Sequence, residues 1–173
     1  VVTIIIAAVV AAFASGVGTT VEKAPTAAVD VRLITNDDKI NDVLISHRSG
    51  DALPTKDIKI TFAWKDGENY RTNSYSAASD TKSAASETYP AYETALFLIT
   101  GDNTAANQFG DAVLTVGHYL ESMTHYDDSP EGAAMTELFG SAYSSIKKNT
   151  PVRVTITHIP SSQIIYDKEV ITE

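Results

Sequence analysis

The sequence predicts an α+β fold that is mainly β: a long N-terminal hydrophobic helix, then an antiparallel β-sandwich with one amphipathic helix inserted. Three observations predict it. Residues 1–21 carry no charged side chain, and ten of them are Val, Ile or Phe. Seven or eight later runs, between Val29 and Thr172, are short, apolar or alternating, with Gly, Pro and Asp turns between them. Between Pro130 and Lys148 the apolar period shifts to helical spacing.

The N-terminal run comes first. Ten such side chains left in water would forfeit roughly 15–30 kcal/mol, at about 1.5–3 kcal/mol each. That exceeds the net stability of a typical domain, about 5–15 kcal/mol. The run must be buried in lipid, in its own domain, or against other copies of itself. As a helix it would reach about 30 Å, the thickness of a bilayer's hydrocarbon core. A strand of that length would be exceptional. The helix is expected over residues 1–24, because Pro25 opposes its continuation. Residues 25–173 are then the head domain, with a variable insertion over about 76–148.

Ala8, Ala12 and Gly16 fall four apart, with Ala7 and Ala11 beside them. Small residues at that spacing let helix backbones approach closely. Together with Ile4 and Phe13 they are the candidate packing residues between copies. A lone membrane anchor that contains alanines is the other reading. Gly16, Gly18 and Pro25 form the candidate hinge. No Lys or Arg precedes the run and no Met begins it, unlike a secretory signal peptide. The expectation is a front already processed or trimmed, with part of the helix outside this sequence.

Strands follow the joint. Val29–Ile34 alternates, Val43–His47 is short and apolar, and Arg48–Asp51 reads as a turn. Ile58, Ile60, Phe62 and Trp64 fall on one face of a strand, and Asp66-Gly67 supplies hairpin chemistry before Tyr70–Tyr75 returns. Ser76–Thr81 is nearly repeated as Ser83–Thr88 without a large apolar residue, so a surface loop or short exposed helix is expected. Tyr92–Thr100 and Ala112–Tyr119 are further strands. Met135, Leu138, Phe139, Ala142, Tyr143 and Ile146 mark the amphipathic helix. Pro151–Ile159 and Gln163–Thr172 close the chain as a hairpin.

Composition narrows the function. The net charge of −9 disfavours a nucleic acid partner. Cysteine is absent, which removes disulfides, thiol chemistry and the usual zinc sites. His47, His118, His125 and His158 form no HxxxH or HxH pair; the first, second and fourth read as packing residues and His125 as part of an exposed acidic loop with Asp127 and Asp128, so no metal ligand is assigned. There is no GxSxG or Walker A sequence, and the carboxylate pairs Asp37/Asp38 and Asp127/Asp128 read as solvated. No catalytic residue and no cofactor follow from the sequence. No Asn-X-Ser/Thr sequon occurs. Thr72, Ser74, Ser76, Ser79, Thr81, Ser83, Ser86 and Thr88 offer acceptors for O-linked sugars, or form an unmodified surface loop.

Three stretches together resemble the archaeal type IV pilin family. They are the IIIAAVVAAFASGVG run, the strand and turn Val43–Leu53 with His47, Gly50 and Asp51, and the closing hairpin Val152–Ser161 with Ile164–Asp167. Ser49 stands where that family tends to have a second Gly. The resemblance implies an immunoglobulin-like head on an N-terminal helix. It implies a structural subunit of an extracellular filament, with helices in the core and β domains outside, serving adhesion and cell–cell contact. Its implied partners are many copies of itself, a prepilin peptidase, a pilus assembly platform, and the cytoplasmic membrane before assembly. The alternatives are a monomeric membrane-anchored surface domain, or a subunit of an archaellin-like motility filament.

Overall fold

A computed structural model describes residues 22–36, 39–79, 94–100, 107–122 and 132–173. The strands among them are β1 (Ala27–Asn36), β2 (Lys39–Gly50), β3 (Leu53–Pro54), β4 (Ile58–Asp66), β5 (Asn69–Ser76), β6 (Leu96–Ile99), β7 (Val113–Leu114), β8 (Tyr119–Ser122), β9 (Pro151–His158) and β10 (Gln163–Ile171). One α-helix, α1 (Ala133–Phe139), lies among them. The strands form one sheet in the order β1-β2-β8-β6, a second in the order β10-β9-β4-β5, and the short pair β3-β7. Every pairing is antiparallel.

Period-two alternation builds both sheets. Ile58, Ile60, Phe62 and Trp64 of β4 point inward beside Val152, Val154 and Ile156 of β9. Val29, Val31 and Leu33 of β1, Ile45 of β2 and Leu120 of β8 meet them from the other sheet in one continuous core. The sheets are also joined at an edge. Glu173, just past β10, donates its N–H to the Leu33 carbonyl at 3.0 Å and accepts from the Thr35 N–H at 2.8 Å. Burial and the nearby Asp30 of β1 push the Tyr166 phenol of β10 above its ordinary pKa.

The architecture corrects the expected α+β class. The described residues are mainly β, and none of their helices is long and apolar enough to cross a membrane. Of the helix expected over 1–24, residues 22–24 are in neither helix nor strand, and 1–21 lie outside the described residues. The amphipathic helix expected within Pro130–Lys148 is also corrected. It shrinks to the seven residues of α1, followed by a 3-10 turn at Tyr143–Ser145. Gly140, at φ +75°, ends it in the left-handed region. Ile146 is fully buried, but from extended backbone rather than a helix.

Two smaller expectations change as well. Ala112–Tyr119 is two strands, β7 and the start of β8, split by a turn at Gly117 with φ +87°. The expected turn Arg48–Asp51 is mostly strand, since Ser49 and Gly50 pair with Ala28 and Ala27. The segment 76–148 supplies β6, β7, β8 and α1, and with them Leu96, Leu120 and Leu138 to the core.

The outer face of the second sheet carries the ion pair Arg153–Asp167, at 2.6 Å. Hydrogen bonding from Arg153 holds the Asp167 carboxyl below the usual carboxylate range; it outweighs an opposing desolvation, with lesser help from the Thr155 hydroxyl and the Arg153 charge. A group lowered in this way adds stability above its unfolded pKa, about 3.9, and loses it as pH falls through the folded value. The pair is solvent-exposed, so the effect on stability is small. In an NMR titration Asp167 should show a midpoint below that of ordinary aspartates. Arg153→Gln should bring it back up; an unmoved midpoint would mean that the pair does not persist in solution.

Candidate functional site: the neck of the β body

The uncharged segment joins the body at one corner. Pro25, half-buried, precedes Thr26, and β1 begins at Ala27 opposite Gly50, the end of β2. Asp51 grips Thr26 twice. Its N–H donates to the Thr26 carbonyl at 2.8 Å, and its Oδ2 accepts from the Thr26 N–H at 2.9 Å. Both polar groups of one backbone unit are thereby satisfied by a single residue of the next strand's end.

His47 holds Asp51 from below. Its Nε2 lies 2.8 Å from the Asp51 carbonyl oxygen. A carbonyl only accepts, so Nε2 carries the proton. The imidazole is 1% exposed, and its Nδ1 has no hydrogen-bond partner among the described residues. The backbone of His47 is fixed by its N–H to the His118 carbonyl and by its own carbonyl accepting from Gly117, each at 3.0 Å.

Gly50 makes the close approach possible. At φ +102° it occupies backbone space that L side chains rarely adopt, and a Cβ there would stand 2.1 Å from the Thr26 oxygen. The turn residues His47, Gly50 and Asp51 therefore converge on the entry of the N-terminal segment. Thr26 completes the arrangement, and no motif in the sequence marks it.

Asp51→Ala leaves the backbone bond but removes the carboxylate acceptor. Removing that exposed bond should cost about 1 kcal/mol. Hydrogen exchange at the Thr26 amide should speed up several-fold while the amides of β4 stay protected. Equal protection of Thr26 in both proteins would show that the carboxylate does not hold the neck.

The other candidate positions are dispersed. Ile4, Ala7, Ala8, Ala11, Ala12, Phe13, Gly16 and Gly18 lie outside the described residues, as do Thr81, Ser83, Ser86 and Thr88. Thr72 and Ser74 are exposed on β5, and Ser74 shares a hydrogen bond with Thr61 at 2.9 Å. Ser76 and Ser79 close a turn on each other, the Ser79 Oγ accepting from the Ser76 N–H at 2.8 Å. His118 meets Thr115 at 2.7 Å and His158 meets Ser161 at 2.8 Å. No group of three or more His, Asp or Glu able to hold a metal occurs among the described residues. The sequence matches no protein-family model and no curated protein.

Proposed function

We propose that this chain is the structural subunit of an extracellular filament of the type IV pilin kind. The uncharged N-terminal segments gather in the filament core, and the β bodies form its outer surface for adhesion and cell–cell contact. One observation carries the reading: twenty-one uncharged residues lead into a β body that grips the chain at Thr26. A segment that water rejects needs many partners, and other copies of itself provide them. The neck fixes Thr26 against Asp51, where the chain enters the β body. Before assembly the segment rests in the cytoplasmic membrane, and a prepilin peptidase and an assembly platform are the partners this route requires. The acidic balance suits a solvated outer surface and disfavours nucleic acid.

The test is electron microscopy of material sheared from the cell surface, with the subunit located by labelling. Labelled fibres support the reading. If the protein stays in detergent-extracted membranes and no fibre contains it, it is a monomeric anchored domain and the proposal fails.

A further inference from the structure

The outer face of the β10-β9-β4-β5 sheet has a chemistry on which the proposed function does not draw. Tyr70 of β5 pairs with Lys65 of β4, and Pro151 of β9 pairs with Ile171 of β10. The neighbouring register, Trp64 opposite Val152, sets Lys65 beside Pro151. Trp64 and Val152 are buried inward, so these four residues stand on the opposite, outer face. They make one row across four strands, about 15 Å long at about 4.8 Å per strand. The row lies at the end of the body remote from Thr26, because β1 starts opposite Gly50 while β4 runs from Ile58 beside His158 to Asp66 at the far hairpin.

This row is open to solvent. Tyr70 is 85% exposed and Ile171 52% exposed. Thr72, on the same side of β5, continues the exposed face with a hydroxyl. The charges are unusual for a chain of net −9. Lys59, Lys65 and Arg153 stand on this face against Asp167 and Glu169. Both carboxylates sit at Arg153: Asp167 accepts from it at 2.6 and 2.7 Å, and Glu169 is its register partner. Lys59 and Lys65 form no ion pair among the described residues.

We infer that this face binds an acidic polysaccharide, a uronate-bearing glycan of a cell surface. A sugar ring presents C–H groups that stack on the exposed Tyr70 ring. Its carboxylate is met by the Lys65 ammonium, and its hydroxyls by Thr72 and its neighbours. A protein partner would seek a desolvated apolar centre; here Pro151 and Ile171 lie at one end of the row, and the Lys65 ammonium separates them from Tyr70. A nucleic acid would bring one charge every ~1.7 Å to an acidic chain. The Lys65 ammonium in the row and that of Lys59 toward the other end of β4, neither in an ion pair among the described residues, suit the sparser charge of a uronate chain. The inference concerns the body alone and holds whether the body stands on a filament or singly on a membrane.

The test is equilibrium binding of the full chain, in detergent micelles, to polygalacturonate, with dextran and poly-glutamate as comparison probes. Polygalacturonate should bind at least tenfold more tightly than either. Tyr70→Ala should weaken that binding at least tenfold with an unchanged unfolding midpoint, since the ring is exposed. Lys65→Gln should weaken it and flatten its salt dependence. No binding of polygalacturonate, equal binding of poly-glutamate, or a Tyr70→Ala protein that binds like the unaltered chain would each overturn the inference.

Discussion

Phe62→Ala lowers the stability of the β body by about 3–5 kcal/mol. Phe62 lies in mid-β4 with no solvent exposure, and its ring centroid is 4.4 Å from that of Phe139 in α1. Phe139 also meets Trp64 edge-on, with centroids 5.9 Å apart. Truncation removes one of the two rings that Phe139 packs against. The cavity cannot close easily, because α1 and the 3-10 turn after it are each tied to the sheet. Asn73 of β5 donates to the Glu137 and Leu138 carbonyls, each at 2.9 Å, and the Trp64 Nε1 donates to the Ser145 hydroxyl at 3.0 Å. Phe62→Leu keeps most of the volume and should cost less. Urea unfolding followed through Trp64, the single tryptophan, measures both. A loss under about 1 kcal/mol for the alanine variant would mean that α1 does not rest on β4 in solution.

The contrast between β4 and α1 shows what the sequence could disclose. Ile58, Ile60, Phe62 and Trp64 are spaced two apart, and each is buried by the same alternation that reveals it. The pattern is local, so it is legible. Around α1 the apolar residues Met135, Leu138, Phe139 and Ile146 also have a helical period, yet only the first three are helical. Gly140 outweighs the period: its left-handed backbone ends the helix, and the remaining apolar residues reach the core through turns. Gly117 does the same to the expected strand Ala112–Tyr119. The neck is legible in part. His47, Gly50 and Asp51 are close in sequence, and a family resemblance draws them together. Thr26, which Asp51 binds and Gly50 abuts, is twenty-five residues from Asp51 and belongs to no period or motif. Contacts of that separation depend on register, which here shifts between Ala28 and Val29 beside the contact itself.

Gly50→Ala should loosen the neck more than any change to the charged groups around it. Two effects combine. At φ +102° an L side chain is strained, at about 1–3 kcal/mol. The added Cβ would also stand 2.1 Å from the Thr26 oxygen and 2.9 Å from the Ala27 Cα, both backbone atoms that cannot rotate away. The start of β1 must move, and both Asp51–Thr26 hydrogen bonds go with it, at about 0.5–1.5 kcal/mol each. The total should reach about 2–6 kcal/mol if no other rearrangement offsets it. Gly67→Ala separates the two effects, because Gly67 has φ +62° but open space around it. That variant should show strain alone, and the difference between the two reports the clash at Thr26. Hydrogen exchange adds the local readout: Gly50→Ala should expose the Thr26 and Asp51 amides, whereas Gly67→Ala should leave both protected. Equal losses in stability with a protected Thr26 amide would show that β1 accommodates a side chain at this corner.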